Sequence, residues 1–282
     1  MTDLVVQGAS LPKDLIATVT SACSPASVMG ETGSGTGHFV RFTNVVPNPA
    51  IDAYCAANRL DRAWVPAYRR WTDYRLLVMD MDSTLITIEC IDEIADMVGV
   101  KPQVAQITAA AMRGELDFPG ALRQRVALLA GLEESALQRV YDERLRLSPG
   151  AEILLAAAKK AGIKTLLVSG GFTFFTGRLE RRLGLDATLA NVLEIENGRL
   201  TGRVVGSIVD ADAKEARLRA MCGELGCNPT QAIAIGDGAN DLKMMKAAGV
   251  GIAYHAKPVV QAQATHALNH VGLDGVLGLF RE

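Results

Sequence analysis

Three apolar runs that each end abruptly in a small or charged residue constrain the fold more than any other feature of this chain. Residues 75–79 (Arg-Leu-Leu-Val-Met) run into Asp80, residues 165–168 (Thr-Leu-Leu-Val) into Ser169-Gly170-Gly171, and residues 232–235 (Ala-Ile-Ala-Ile) into Gly236-Asp237-Gly238. A short continuous apolar run suits a strand buried on both faces, and such strands belong to parallel sheets covered by helices. A helical pattern follows each run. The expected fold class is therefore α/β, a three-layer Rossmann-like fold with a parallel sheet core, and ligands of such sheets bind at the carboxyl ends of the strands.

Between the first two runs, residues 91–147 contain no comparable strand but have helical patterns over 92–98, 103–113, 118–129 and 133–145, closed by Pro149-Gly150. A plain crossover needs only a dozen or so residues. This stretch is expected to form a helical cap inserted in a core made of residues 74–90 and 148–282. Asn197-Gly198, between 193–196 and 199–202, favours a type I′ turn and hence a β-hairpin. A further short strand is expected over 250–253, with Gly249 before it as a helix C-cap. Ahead of the core, residues 1–73 pattern as a small α/β unit, with strands at 4–7 and 39–43 and helices at 11–20 and 51–58. Its loop Gly30-Glu-Thr-Gly-Ser-Gly-Thr-Gly37 has no Gly-Lys-Ser/Thr ending and precedes a strand, so it reads as a turn and not as a phosphate loop.

Composition narrows the function classes. With 49% hydrophobic residues a core is affordable, and a formal net charge of -2 (29 basic against 31 acidic residues) offers no polyanion-binding surface, so nucleic acid is not an expected partner. The five cysteines, Cys23, Cys55, Cys90, Cys222 and Cys227, form no paired framework and read as reduced thiols. No basic region follows Met1-Thr2-Asp3, and no uncharged apolar stretch of about 18 residues occurs, so a cytoplasmic protein without membrane spans is expected.

Asp80 and Asp82 stand two apart just past a strand, where shared orientation would make two carboxylates repel unless a cation intervenes. Hard oxygen ligands favour magnesium. Asp237, at another strand end, supplies a third carboxylate, with Asp241 four residues on to orient it or to hold a metal-bound water. A nucleophilic carboxylate beside a divalent cation suits phosphoryl transfer. Ser169 with the Gly170 amide then provides donors for the phosphoryl oxygens, and Lys214, in Asp210-Ala-Asp-Ala-Lys214, is able to supply a cation near the nucleophile, although read alone it is a surface lysine and its assignment depends on the resemblance that follows.

Taken in order, Val78-Met-Asp-Met-Asp-Ser-Thr-Leu85, Val168-Ser-Gly-Gly-Phe172, Lys214 and Ile235-Gly-Asp-Gly-Ala-Asn-Asp241 resemble the four motifs of the haloacid dehalogenase (HAD) superfamily. With the Glu89-Cys-Ile-Asp-Glu93 continuation, the resemblance is to the branch that hydrolyses O-phosphoserine, and it covers about three quarters of the chain, from Arg75 onward. The resemblance implies Asp80 as nucleophile and Asp82 as the group that protonates the leaving oxygen and then activates water. It implies magnesium held by the side chains of Asp80 and Asp237 and the carbonyl of Asp82, with Asp241 in support. Ser169, Gly170, Lys214 and Asn240 would bind the phosphoryl group and substrate. Glu89 and Arg125 would take the ammonium and carboxylate of O-phosphoserine, and Met112 and Phe118 would form an apolar lid.

By the same resemblance, residues 1–73 are expected to be a reduced ACT-like domain that regulates or dimerises the protein. His38, His255, His266 and His270 gain no role from the family, though His255, close to Lys257, is expected near the site rim. Two alternatives accompany the phosphoserine reading. One is a related phosphatase or phosphotransferase for another small phosphomonoester. The other is a catalytically silent binding protein, disfavoured because Asp80, Asp82, Lys214 and Asp237 are all present.

Overall fold

Residues 1–29 and 37–281 are described by the computed structural model of the chain, so all of the glycine-rich stretch except Gly37 lies outside the described residues. The N-terminal unit contains β1 (Thr2–Gly8), α1 (Leu15–Cys23), β2 (Ser27–Met29), β3 (His38–Thr43), α2 (Ala50–Ala57) and β4 (Asp61–Pro66), and its antiparallel sheet has the order β2-β3-β1-β4. Leu4 and Val6 of β1 pack on α1 and α2, while Val5 between them joins Ala63 and Val65 in the core shared with the rest of the chain. Both faces of this small sheet are thus covered, which is why residues 4–6 are apolar without alternation.

The sequence pattern missed β2 and β4. β4 begins with Asp61-Arg62 and ends at Pro66, a composition suited to the sheet-edge position it holds. Its Asp61 looks outward from the unit for a reason: the carboxylate accepts from the backbone N–H groups of Asn269 (2.7 Å) and His270 (2.8 Å). A second polar tie joins buried Asp3 to Arg41 (3.0 Å) and Arg281 (2.7 Å), with Arg41 also donating to the carbonyls of Gly278 and Phe280. Since every charge in this cluster has a partner, burying it is tolerable.

The main sheet has the order β11-β10-β9-β5-β6-β7-β8, formed by β5 (Leu76–Met79), β6 (Lys164–Phe172), β7 (Ala187–Glu196), β8 (Arg199–Val205), β9 (Ala232–Gly236), β10 (Val250–Tyr254) and β11 (His266–Leu268). Its strands are parallel except for the β7–β8 hairpin, where Asn197 and Gly198 both take positive φ (52° and 74°) as a type I′ turn requires. Along β5, Leu76 and Val78 face one core cluster and Leu77 and Met79 the other. The two-residue strand period explains the split.

The inserted segment is helical: α3 (Cys90–Met97), α4 (Lys101–Met112), α5 (Phe118–Ala127), α6 (Ser135–Arg139) and a wide π-type turn over Val140–Arg144. The hairpin does more than interrupt the sheet. Gly131 donates its N–H to the Leu200 carbonyl, and Leu200 donates to Leu132, so β8 props up the far end of α5. The remaining helices, α7 (Ala151–Lys160), α8 (Thr173–Leu183), α9 (Ala211–Glu224), α10 (Leu242–Ala247) and α11 (Pro258–Gln261), connect successive strands of the sheet or flank its edge.

Gly249 is not the helix cap expected of it, because Ala248 closes α10. A Cβ on Gly249 would sit 1.9 Å from the Thr230 carbonyl oxygen, so close backbone approach, not a left-handed conformation, demands glycine there.

His266 on β11 supplies a first testable consequence. Its Nε2 lies 2.6 Å from Nη1 of Arg69, and an arginine can only donate, so the imidazole accepts and is neutral. Burial and the charges of Arg69 and Arg62 hold its pKa down at about 3. The unfolded chain, with an ordinary histidine, binds more protons below about pH 6.5, so this group's contribution is lost as pH falls from there toward 3. The difference in unfolding free energy between the wild type and His266→Gln should therefore change by about 1.4 kcal/mol per pH unit across that window. Parallel denaturation curves between pH 6.5 and 4 with no such divergence would contradict the neutral assignment.

Candidate active site

Sheet register brings the three apolar strand ends together. Met79 of β5 pairs with Leu167 on one side and Ile235 on the other, so Asp80, Ser169 and Asp237 all emerge at one edge, and the Asp80 N–H donates to the Ile235 carbonyl. Beyond Met79 the strand period does not continue to Asp82 as the sequence argument supposed. The chain turns through Met81–Leu85, with Ser83 in the left-handed region (φ 53°), and sends the two carboxylates in different directions. For a residue with a side chain this backbone is uncommon and needs surrounding structure to hold it.

Asp80 points to Lys214. The lysine side chain is fully buried, and Nζ donates to Asp80 Oδ1 (2.6 Å) and to Asp241 Oδ1 (2.7 Å). Asp210 starts the helix that carries it, accepting from the Ala213 N–H as N-cap of α9. Burial and the charge of Asp241 push the Asp80 carboxyl well above the usual carboxylate range, while the Lys214 ammonium pulls it back. Lys214 itself is held protonated by the two carboxylates against the opposing effect of burial.

Asp82 turns the other way. Its Oδ1 accepts from the Cys90 N–H at the start of α3 (2.8 Å), and its Oδ2 faces the Ser169 hydroxyl at 3.3 Å. Burial raises its pKa, and the donors from Cys90 and Ser169 only partly offset this. Gly171 must lack a side chain because a Cβ there would come 2.7 Å from Asp82 Oδ2.

Carboxylate oxygens of Asp80, Asp237 and Asp241 all lie within 4.8 Å of one another. Both oxygens of Asp241 are already engaged, one by Lys214 and the other by the Gly238 N–H at 3.0 Å, whereas the Thr84 hydroxyl reaches Asp237 Oδ1 only at 3.4 Å. Burial and Asp241 lift the Asp237 pKa to about 6. An all-oxygen cluster in which Asp241 raises the pKa of both Asp80 and Asp237 fits a hard divalent cation, and Asp80 and Asp237 are the members free to bind it.

The cap closes the other side of a cavity of about 830 Å³ that Asp80, Asp82, Asp237 and Asn240 line from the core. Glu89, just before α3, and Arg125, Met112 and Phe118 of the inserted segment line the same space. Glu89 accepts from the Ser83 hydroxyl (2.6 Å), and burial, with the Asp82 charge, raises its pKa to about 7. Arg125 Nε lies 3.4 Å from the Ala121 carbonyl, and Asp92 and Glu89 are charge partners of its guanidinium. Phe118 lies on Gly170, where a Cβ would come within 2.9 Å of its ring. Met112 is 65% exposed and touches Lys257 Nζ across the cavity mouth (3.7 Å).

Among the expected site residues, Ser169, Lys214 and Asp241 are fully buried just behind the cavity wall, and Gly170 forms part of that wall. His255 is not at the rim: it borders a separate pocket with Ser10, Asn58, Arg59 and His270, while Lys257, two residues later, reaches the active cavity. The sequence reading also passed over Thr84, Asp210 and Asn191. Thr84 stands inside the first motif, but its contact with Asp237 is a bond across 153 residues, and nothing local signals it.

Comparison with known proteins gives a consistent result. Residues 77–246 match the family model described as haloacid dehalogenase-like hydrolase. A phosphoserine phosphatase of Polaromonas sp. is 56% identical over 215 residues, covering 74% of this chain and 91% of the relative. Among solved structures, a HAD family hydrolase from Salmonella enterica serovar Typhi superposes with a TM-score of 0.88 at 30% identity, covering 100% of this chain and 99% of the other. A probable phosphoserine phosphatase from Vibrio cholerae gives 0.84 at 36% identity, covering 98% and 85%.

Proposed function

We propose, from the premise that the chain belongs to the haloacid dehalogenase-like hydrolases, that it hydrolyses O-phospho-L-serine to L-serine and phosphate through an aspartyl phosphate on Asp80. This is the last step of serine biosynthesis. The observation that carries the substrate choice is the pairing of Glu89 and Arg125 on the cap wall of the cavity that Asp80 lines. An anion for an ammonium and a guanidinium fork for a carboxylate, facing a phosphoryl-transfer centre, suit a phosphorylated amino acid.

In the first half-reaction the Asp80 carboxylate attacks phosphorus and the bond to the serine oxygen breaks. Asp82, whose raised pKa keeps a proton available, passes that proton to the departing oxygen. In the second, Asp82 removes a proton from the water that attacks the aspartyl phosphate, and phosphate leaves with Asp80 restored. Ser169, the Gly170 amide and Lys214 hold the phosphoryl oxygens, and Asn240 borders the substrate. Magnesium, bound by Asp80, Asp237 and the Asp82 carbonyl with Asp241 holding Lys214 in place, would offset the phosphoryl charge. Met112 and Phe118 exclude bulk water.

The N-terminal unit, residues 1–73, serves regulation or homodimerisation in this proposal, and the protein works in the cytoplasm. No helix among the described residues is long and apolar enough to cross a membrane.

With magnesium and a panel of phosphomonoesters, phosphate release should be fastest from L-phosphoserine. A clear preference for a sugar phosphate would sink the assignment. Arg125→Ala should lower kcat/KM for phosphoserine by about a hundredfold, the worth of a charge-assisted bidentate contact, and change p-nitrophenyl phosphate hydrolysis less than about threefold. Equal losses on both would place Arg125 outside carboxylate recognition.

A further inference from the structure

We infer that Asn191 is a positioning residue that sets the phosphoryl-binding hydroxyl of Ser169 by fixing the peptide plane between Gly170 and Gly171. Asn191 lies on β7 with its side chain buried, and its Nδ2 donates to the Gly170 carbonyl at 2.8 Å. Its Oδ1 accepts from the Val209 N–H, also at 2.8 Å. A backbone N–H can only donate and a carbonyl can only accept, so the two partners dictate which way the amide is turned.

The consequence runs through covalent geometry. No peptide bond among the described residues is cis, so the Gly170 carbonyl and the Gly171 N–H point in opposite directions from one rigid plane. Drawing the carbonyl toward Asn191 aims the N–H the other way, and it donates to Ser169 Oγ at 2.8 Å. With that lone pair occupied, the Ser169 hydroxyl proton is directed forward, toward Asp82 Oδ2 at 3.3 Å and toward a phosphoryl oxygen when one is bound. Two glycines in succession leave this peptide with little conformational preference of its own, so an external anchor is needed.

The second arm of the amide reaches the other phosphoryl-binding segment. Val209 immediately precedes Asp210, the N-cap of the helix that presents Lys214. Asn191 therefore ties the Ser169 loop and the Lys214 helix to one strand, over separations of 21 and 18 residues. Without it, the buried Val209 N–H would lose the partner it has in Asn191 and the Gly170 carbonyl the side-chain bond that holds it, and both segments would be free to shift.

The inference rests on Ser169 as a phosphoryl ligand, and its test uses inorganic phosphate, so it does not depend on which ester is the substrate. Phosphate affinity in the presence of magnesium is measured by calorimetry for the wild type, Asn191→Ala, Ser169→Ala and the double variant. Each single change should weaken binding about tenfold, and the double variant should bind within about threefold of the weaker single, because both remove the same oriented hydroxyl. Losses that multiply to about a hundredfold in the double variant would show that Asn191 acts independently of Ser169 and overturn the inference. So would unchanged affinity in Asn191→Ala.

Should the alanine variant not fold, Asn191→Asp keeps the size and the acceptor for Val209 and replaces the donor to Gly170 with a carboxylate oxygen that cannot hold that carbonyl. It is held to the same four-way comparison. Losses in kcat/KM should also be similar for phosphoserine and p-nitrophenyl phosphate, which separates this residue from Arg125. A wild type that binds phosphate but does not hydrolyse phosphoserine would overturn the substrate proposal while the four affinities still decide the role of Asn191.

Discussion

Replacing Asp80 by Asn should lower phosphoserine turnover more than about a thousandfold while the protein stays folded, since an amide of the same shape cannot attack phosphorus and the step it starts has no substitute nucleophile. The fold tolerates the change for a reason visible in the charge arrangement. Lys214 keeps Asp241 as a partner at 2.7 Å, so its ammonium is not orphaned. The removed carboxylate was itself strained by burial and by Asp241. Phosphate release and a thermal melt on the same sample check both halves. Retention of a tenth of the wild-type rate would remove Asp80 as nucleophile.

Changing Lys214 to Met should have the opposite balance, with a large effect on stability as well as on activity. It leaves Asp80 and Asp241 buried, near Asp237, without the ammonium that touches both. Stripping one partner from a buried ionic cluster costs about 3–5 kcal/mol. Asp80 of the variant escapes part of this by staying protonated in the folded state, because burial and Asp241 already raise its pKa and the lowering charge of Lys214 is gone. Its folded pKa then exceeds the unfolded one, so the variant loses stability as pH rises through it. Urea denaturation at pH 5.5 and 8 should show the deficit widening with pH, and added magnesium should narrow it at the higher pH. A variant within about 1 kcal/mol of the wild type at both values would mean Lys214 is not the counter-ion of this cluster.

Much of the catalytic edge was legible in the sequence because it obeys local rules. A buried parallel strand must be apolar, and the first polar residue after it is where the chain leaves the sheet. Asp80, Ser169 and Asp237 each stand at such an exit without reference to one another, and the register of β5 with β6 and β9 makes them neighbours. The hairpin was equally legible, since Asn197-Gly198 supplies the positive φ angles its turn requires.

Other features resisted sequence reasoning for identifiable reasons. β4 has charges, a tryptophan and a terminal proline because it runs along a sheet edge, and its Asp61 serves amides more than 200 residues away. Asp82 followed Asp80 at strand spacing, yet the wide turn after Met79 gave it a different set of partners. The role of the hairpin in supporting the cap follows only from the bonds between Leu200 and residues 131–132.

The sequence alone determined that carboxylates and a serine would collect at one edge of an α/β sheet under a helical insertion, because strand burial and chain exit are properties of short segments. Only the tertiary structure decided how those groups are held. Lys214 looks like any helical lysine until it meets Asp80 across 134 residues, and Asn191 looks like any strand residue until its amide bridges Gly170 and Val209. A buried charge or amide is tolerable only when its partner arrives from elsewhere in the chain, and that arrival is a fact of packing that no local pattern encodes.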